Sequence, residues 1–278
     1  MSYELSRPLP ASPGPAAANP PQEADFLESS LLRAAGFRHA FFTRLGGVSS
    51  GPYRSLNFSV AVGDAEEHVL ANLERAAAVL GVDPRRIYYL SQVHGREVRE
   101  LAGSERREAV LEQRGDALVG SSLDLACGVR SADCVPILIA DRQNGTVAAV
   151  HAGWRGVVAG VIGAAVSSLR VRAAAPPELI AAIGPHISSS AFEVAPEVAR
   201  EIADACGDAS VVDRSRGARP FVDLRRAVRR GLIEAGMSDS AVDDVYGCTV
   251  GEPERFFSYR RDGQKSGRHL SAIVPRPA

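Results

Sequence analysis

A chain of 278 residues with a hydrophobic fraction of 45% is long enough to bury one large core or two modest ones. Its net charge of −1 and its pI of about 6.6 give it no basic face for nucleic acid or for a membrane surface. The four cysteines are widely spaced and form no CxxC pair, which argues against a disulfide framework or a zinc ribbon. No apolar leader is visible at the N-terminus, so we expect a reduced, cytoplasmic protein.

The first part of the chain is dominated by proline and alanine. Such a composition cannot bury enough apolar surface to offset the entropy of ordering. We therefore predict a disordered Pro/Ala-rich tail over residues 1–22 and a single domain over residues 23–278.

The rest of the chain mixes short apolar runs with amphipathic segments. The runs predict strands over Phe37–Thr43, Ile87–Leu90, Glu97–Leu101, Asp116–Val119, Leu125–Val129, Leu179–Ile183, Val242–Cys248, Phe256–Tyr259 and Leu270–Val274. Helical spacing and capping residues predict helices from Asp64 to Leu80 and over Gly156–Arg170, Pro196–Cys206 and Asp223–Ala235. Strands and helices alternate irregularly, which favours an α+β fold of mixed β-sheets packed together and flanked by helices.

The centre of the chain carries a strong hairpin signal. The apolar runs Pro136–Ala140 and Thr146–Val150 are separated by a turn that contains Asn144-Gly145. A hairpin brings the start of its first strand beside the end of its second, so Cys134 and His151 should lie close together.

Three polar motifs stand at predicted strand ends, where a rigid scaffold holds functional side chains. They are Gln92-Val93-His94-Gly95, Ala132-Asp133-Cys134 and His151-Ala152-Gly153-Trp154. Two imidazoles and a thiolate suit zinc, and three protein ligands leave a fourth position open for water or substrate. The spacing matches no compact zinc motif, however, and a lone histidine such as His94 is more often structural. The residues alone therefore leave a metal site, a cysteine–histidine dyad and no function all open.

The order of these motifs resembles one known family. It is the laccase-domain or multicopper polyphenol oxidoreductase family, now described as purine nucleoside phosphorylases, which includes the peptidoglycan editing factor. The matching blocks run from about Phe41 to near the C-terminus and include Arg44-Leu45-Gly46-Gly47, Ser55-Leu56-Asn57, Gln92-Val93-His94-Gly95, Ala132-Asp133-Cys134-Val135-Pro136, His151-Ala152-Gly153-Trp154-Arg155-Gly156 and Phe256-Phe257-Ser258-Tyr259-Arg260-Arg261-Asp262-Gly263.

The resemblance implies a zinc ion, with copper the less favoured metal, bound by His94, Cys134 and His151. It implies phosphorolysis of adenosine, inosine and 5′-methylthioadenosine, together with deamination of adenosine. The partners would be purine nucleosides and phosphate, with no nucleic acid or membrane, and the protein would be a monomer or a small homo-oligomer.

Further residues are candidates for this chemistry. Arg44 and Arg155 are candidates for a phosphate grip, because a guanidinium binds an oxyanion through two parallel hydrogen bonds. Asn57 is a candidate for contact with sugar hydroxyls, on the motif match only. Asp133, a candidate catalytic residue with Cys134 and His151, would either orient a histidine that binds the metal or cap a turn.

Other classes of protein remain as alternatives. Cys134 and His151 could be the nucleophile and base of a cysteine hydrolase or amidase that edits peptidoglycan precursors. A non-catalytic zinc-stabilised nucleoside-binding module is a third possibility. Six histidines are too few for several copper centres, which argues against a true multicopper oxidase. His186 departs from the family pattern, and an additional polar ligand at that position stays open.

The tail generates the first prediction. Deletion of residues 1–22 should leave both the melting temperature and the activity unchanged, because a segment of this composition contributes nothing to a packed core. Thermal denaturation of the full and truncated chains tests this, and a fall of several degrees on truncation would refute it.

Overall fold

The structure is a computed structural model that describes residues 23–172 and 177–278. The predicted tail, residues 1–22, lies outside the described residues. The described strands are β1 Phe26–Leu27, β2 His39–Phe42, β3 Ile87–Tyr88, β4 Val98–Leu101, β5 Ala117–Gly120, β6 Ala126–Ser131, β7 Val135–Asp141, β8 Val147–Ala152, β9 Leu179–Ile183, β10 Val212–Asp213, β11 Phe221–Val222, β12 Val242–Asp244 and β13 His269–Ile273. The described α-helices are α1 Ser30–Ala34, α2 Glu66–Leu80, α3 Arg107–Leu111, α4 Trp154–Ala159, α5 Val161–Arg172, α6 Pro196–Ala205, α7 Leu224–Glu234 and α8 Tyr259–Asp262.

Two mixed sheets form the centre of the fold. The larger has the order β12-β9-β7-β8-β5-β4, and the smaller has the order β1-β2-β13-β6-β3. Strands β10 and β11 form a separate antiparallel pair. Parallel pairs such as β4 with β5 and antiparallel pairs such as β7 with β8 occur in the same sheet. The predicted α+β class is confirmed.

The sequence of β7 shows why its sheet is buried on both faces. Successive side chains of a strand point to opposite faces. Ile137 and Ile139 pack into the core beneath the helices, whereas Leu138 and Ala140 pack toward the smaller sheet. All four residues are completely buried, so β7 needs apolar residues at these consecutive positions.

Three apolar cores separate four layers. Helices α4, α5, α6 and α7 cover the outer face of the larger sheet. The second core lies between the sheets, where Phe41 and Val129 of the smaller sheet meet Leu118 and Leu138 of the larger. Helix α2 covers the outer face of the smaller sheet through side chains that include Leu73. Among the helices that the structure describes, none combines the length and apolar character that a membrane span needs.

The structure confirms the predicted hairpin and corrects two other elements. In the hairpin β7–β8, Pro136 pairs with His151, and Gly145 takes a positive φ of 74° in the turn. The predicted helix Gly156–Arg170 is two helices, α4 and α5, because Gly160 ends the first in the left-handed region with φ 85°. The predicted strand Phe256–Tyr259 is not a strand; its two phenylalanines are buried, and α8 begins at Tyr259.

The core between the sheets generates the second prediction. Leu138→Ala should lower the free energy of unfolding by about 2–5 kcal/mol, because the substitution leaves a cavity in a closed apolar layer. The matched control Leu70→Ala, at a side chain that is 50% exposed on α2, should cost less than about 0.5 kcal/mol. Urea denaturation of both variants measures the difference, and equal costs would contradict the layered core.

Candidate metal centre and its cavity

The hairpin brings two of the three proposed ligands together. His151 lies in β8 and is buried, and Cys134 immediately precedes β7. Since Pro136 pairs with His151, Cys134 is placed opposite Gly153, which caps the N-terminus of α4. The local prediction that Cys134 and His151 are neighbours is therefore confirmed.

His94 reaches the same point from a separate loop. It follows β3 and is exposed, with an unusual positive φ of 59°. Its Nε2 lies 3.7 Å from Cys134 Sγ, and its ring centroid lies 4.9 Å from that of His151. The ligand atoms of the three residues all lie within 4.8 Å of one another.

The carboxylate of Asp116 holds this loop and the buried histidine together. It accepts hydrogen bonds from the backbone N–H groups of Val93, His94 and Gly95, at 3.2, 3.0 and 2.7 Å. Its Oδ1 lies 2.8 Å from His151 Nδ1. To bind a metal, His151 would keep the Nδ1 proton that faces Asp116 and release the proton of Nε2, whose lone pair then becomes the ligand.

Gly153 leaves room for the ligands. A Cβ atom at this position would lie 2.7 Å from His94 Cδ2 and 3.0 Å from Cys134 Sγ, closer than side-chain atoms normally approach. The glycine of the third motif is therefore explained by the space that the His94 and Cys134 side chains occupy.

The buried groups at the centre shift one another's protonation. Burial raises the pKa of the Cys134 thiol, but the positive charge of His151 and hydrogen bonds from His151 and His94 lower it to about 6. Burial lowers the pKa of His151, but the Cys134 thiolate and Asp116 raise it to about 9. Burial also raises the pKa of Asp116, and its hydrogen bonds from His151, Gly95 and Val93 lower it below its usual value. Cys134 is thus held as a thiolate, the form in which cysteine binds metals.

These donors fit a single metal ion. A tetrahedral zinc site places a sulfur and a nitrogen ligand roughly 3.5 Å apart, close to the separation of Cys134 Sγ and His94 Nε2. Within residues 23–172 and 177–278, His94, Cys134 and His151 are the one cluster of this kind. The described chain therefore provides ligands for one metal rather than for several copper ions.

The triad lines a cavity of about 820 Å³. Four arginines, Arg130, Arg155, Arg260 and Arg268, contribute to its wall, and Asp133 is the acidic residue among the described lining residues. Two aromatic residues, Phe192 and Tyr259, also line it. The remaining lining residues are Ser59, Ala61, Val62, Ser91, Gln92, Ser131, Ala132, Ile187 and Gln264.

The structure separates the two arginines predicted to bind phosphate. Arg155 lines the cavity, is exposed, and lies over the ring of Trp154 at 4.5 Å. Arg44 does not line it: its guanidinium donates to the carbonyl oxygens of Arg54 and Pro253 and covers the ring of Phe257. Arg44 therefore joins two loops outside the cavity lining, and this position gives no support to the phosphate grip predicted for it.

Asn57 also has a role other than the predicted one. It is completely buried, and its side chain donates to the carbonyl of Ser59 and to the carboxylate of Asp64. Its Oδ1 accepts from the backbone N–H groups of Ser59 and Arg268. With its polar atoms already paired, Asn57 is not placed to contact a sugar hydroxyl.

Asp133 does not orient a histidine. Its Oδ1 accepts from the Thr249 hydroxyl and its Oδ2 from the Arg260 backbone N–H, both at 2.6 Å. It therefore ties the Cys134 loop to the start of α8, and Asp116 is the residue that contacts His151. His186 is buried and lies outside the cavity lining; its Nδ1 bonds the Gly184 carbonyl oxygen, and burial lowers its pKa to about 4.

Three residues of the site, Asp116, Arg130 and Arg268, were not predicted from the sequence. Asp116 begins a predicted strand, Arg130 follows another, and Arg268 precedes a third. Each therefore lies at or near a strand end, as the three polar motifs do. None belongs to a short motif with a recognised chemical meaning, and the contacts that reveal them join distant parts of the chain.

The family model described as multi-copper polyphenol oxidoreductase laccase matches residues 38–276. The chain belongs to this family. It is 39% identical over 234 residues to purine nucleoside phosphorylase YfiH of Shigella flexneri, which covers 83% of this chain and 90% of that protein. It is 40% identical over 227 residues to purine nucleoside phosphorylase SCO2081 of Streptomyces coelicolor, which covers 82% of this chain and 91% of that one.

Solved structures of the family share the fold. YlmD from Geobacillus stearothermophilus superposes with a TM-score of 0.81 at 31% identity, covering 87% of this chain and 93% of that chain. Neisseria meningitidis protein NMB0706 gives 0.78 at 36% identity, with coverage of 90% and 98%. Both solved structures therefore share the overall fold of this chain.

Gly153 generates the third prediction. Gly153→Ala should weaken metal binding by about tenfold or more, because the new methyl group displaces His94 or Cys134. Metal content and competition with a chromogenic chelator measure the effect. The control is Gly163→Ala on α5, where a Cβ meets nothing within 4 Å; it should keep the full metal affinity. Equal metal binding by both variants would contradict this assignment of ligands.

Proposed function

We propose that this chain is a zinc-dependent purine nucleoside phosphorylase. Its substrates would be adenosine, inosine and 5′-methylthioadenosine, with deamination of adenosine as a side activity, in the cytoplasm. The observation that carries the proposal is the position of the His94–Cys134–His151 triad on the wall of an arginine-lined cavity. Relatives at about 40% identity that bear the name purine nucleoside phosphorylase support it.

Phosphorolysis makes demands that the cavity can meet. A phosphate oxygen forms a bond to C1′ of the ribose, the bond from C1′ to the purine nitrogen breaks, and the base leaves with the electron pair. Arginines in the wall neutralise phosphate, and a volume of about 820 Å³ is within the usual range for small-molecule sites. The ring of Tyr259, an exposed residue of the lining, offers a face on which a purine can stack.

Zinc is the proposed metal because one thiolate and two imidazoles form a donor set that suits it, with copper less favoured. When bound, zinc acts as a Lewis acid and lowers the pKa of water, which is the chemistry that deamination requires. The chain's own contribution is orientation: Asp116 fixes the ring of His151, and Gly153 leaves the space beside Cys134.

One observation favours the alternative of a cysteine hydrolase or amidase. Asp116, His151 and Cys134 stand in the order of an acid–histidine–nucleophile triad, and the pKa of Cys134 is lowered although its burial opposes this. His94 distinguishes the two functions, since a hydrolase of this type needs no third ligand. A metal also blocks the thiolate from attacking a substrate.

The fourth prediction tests the proposed activity. Incubation of the zinc-loaded protein with inosine and phosphate should give hypoxanthine and ribose 1-phosphate, and omission of phosphate should abolish release of the base. Cys134→Ala should lower the rate by about a hundredfold or more, because it removes a charged ligand of the metal. The control Cys206→Ala alters a buried thiol at the end of α6 and should retain activity.

The same experiment separates the alternatives. If chelation abolishes turnover and zinc restores it, the metal-dependent function stands. If the metal-free protein instead cleaves amide substrates and alkylation of Cys134 stops it, the hydrolase is correct. Absence of base release from any purine nucleoside, with zinc confirmed in the protein, would overturn the phosphorylase proposal.

A further inference from the structure

The four arginines of the cavity are not equivalent. Arg155 and Arg260 are exposed, whereas Arg130 and Arg268 are half-buried. Water and salt screen an exposed charge far more than an enclosed one. An anion bound between the enclosed pair would therefore gain the stronger interaction.

Among the described residues, neither Arg130 nor Arg268 forms a salt bridge. Each guanidinium instead lies over an aromatic ring, Arg130 over Tyr89 at 4.3 Å and Arg268 over Tyr259 at 5.8 Å. Burial lowers the pKa of Arg130, and the positive charges of Arg268 and Arg107 lower it further. Burial likewise lowers the pKa of Arg268. Arginine nevertheless keeps its proton. In the described chain their side-chain acceptors are neutral: Arg130 NH1 lies 3.4 Å from the Phe58 carbonyl and the Ser59 hydroxyl, and Arg268 NH1 donates to the Ser266 and Gly267 carbonyls.

Two side-chain amides hold the backbones of these arginines. Gln92 donates to the Arg130 carbonyl at 2.7 Å and accepts from its N–H at 2.8 Å. Asn57 accepts from the Arg268 N–H at 2.9 Å. Both amides belong to family-matched blocks. The structure thus accounts for Asn57 as a support for an arginine.

The pair also lies beside the reaction centre. Both arginines line the cavity that contains the triad. Asp133 also lines this cavity, but its two oxygens already accept hydrogen bonds from the Thr249 hydroxyl and from the Arg260 backbone N–H. An oxyanion is the ligand that two such guanidinium groups bind best.

We propose that Arg130 and Arg268 form the phosphate subsite of this cavity, with Gln92 and Asn57 as the residues that position them. The proposal deepens and rests on the proposed phosphorylase function. The ligand chemistry is a phosphate dianion, which could come from inorganic phosphate or from the phosphoryl group of a nucleoside monophosphate.

The fifth prediction measures phosphate binding directly. Isothermal titration of the zinc-loaded protein with inorganic phosphate should show binding that Arg130→Gln and Arg268→Gln each weaken by about tenfold or more. The matched control is Arg107→Gln, because Arg107 lies against the same Tyr89 ring as Arg130 but does not line the cavity. It should change binding by less than about threefold, because Arg107 lies outside the cavity lining. Melting temperatures show whether the variants are folded. Arg268→Lys is a second check on folding, because it keeps the positive charge but not the planar guanidinium with its parallel N–H donors.

Steady-state kinetics then separate this proposal from the proposed function. With both correct, the phosphate KM rises in Arg130→Gln and Arg268→Gln while the inosine KM changes little. If the wild type cleaves inosine but both variants keep the wild-type phosphate KM, the subsite is wrong and the phosphorylase stands. If the variants lose phosphate binding but no nucleoside is cleaved, the subsite stands and the phosphorylase is wrong. If the wild type binds no phosphate, the subsite is overturned.

A further titration distinguishes inorganic phosphate from the phosphoryl group of a nucleotide as the occupant of this subsite. Inosine monophosphate is titrated into the protein with and without saturating inorganic phosphate. Competition that Arg268→Gln removes identifies the phosphoryl group of a nucleotide as a second occupant of this subsite. Binding of the nucleotide without competition assigns the subsite to inorganic phosphate only.

Gln92 is tested as a positioning residue. Gln92→Ala should raise the phosphate KM by about threefold to tenfold and leave the inosine KM near its wild-type value, because one hydrogen-bonded support is lost. Full zinc content would show that the adjacent His94 loop is intact. A variant with a lower melting temperature but an unchanged phosphate KM would mean that Gln92 supports the fold and not the subsite.

Discussion

The buried carboxylate of Asp116 is the constraint on which the candidate site depends. It accepts hydrogen bonds from three consecutive backbone N–H groups of the His94 loop and contacts the buried ring of His151. Burial of an unpaired carboxylate would be costly, so these partners are required for its ionised state. In return, one side chain fixes the exposed ligand and the buried ligand relative to each other.

The pairing of β5 with β8 in the larger sheet explains why the Asp116 carboxylate lies beside the His151 ring. Asp116 immediately precedes β5, which pairs with β8, the strand that carries His151. The Asp116 carbonyl accepts from the His151 N–H at 2.7 Å, so the backbones are joined as well as the side chains. The position of the imidazole therefore follows from strand register, and the apolar layers on either side of the larger sheet keep that register fixed.

Contacts between residues close in sequence could be predicted, whereas contacts between distant segments could not. The hairpin and the proximity of Cys134 and His151 follow from a turn signal and two nearby apolar runs, which are local information. His94 was grouped with them as a motif at a strand end, but only the resemblance to a family implied that it is a ligand, because its loop reaches the site through Asp116. Arg44 shows the opposite case: a polar loop made it a reasonable phosphate residue, but its guanidinium binds a carbonyl at Pro253, far away in sequence.

Contacts between distant segments also explain why the roles of Asn57 and Arg130 could not be predicted from the sequence. The motif match drew attention to Asn57 as a residue of the site, but the direction of its side chain depends on Ser59, Asp64 and the distant Arg268. Arg130 is one arginine among many in this chain, and nothing in its neighbourhood distinguishes it. Its enclosure beside Tyr89 arises from packing that joins separate segments.

The arginines in the cavity wall also affect how a metal would reach the triad. A wall with four guanidinium groups and one carboxylate attracts phosphate and repels a free divalent cation. The Cys134 thiolate attracts the cation only once it is close, because the attraction between the two charges is screened over roughly 8 Å at physiological salt. The field that concentrates an anionic substrate is thus a kinetic barrier to metal exchange. We expect the ion to enter and to leave slowly, so that a metal acquired during folding is retained through many rounds of substrate binding.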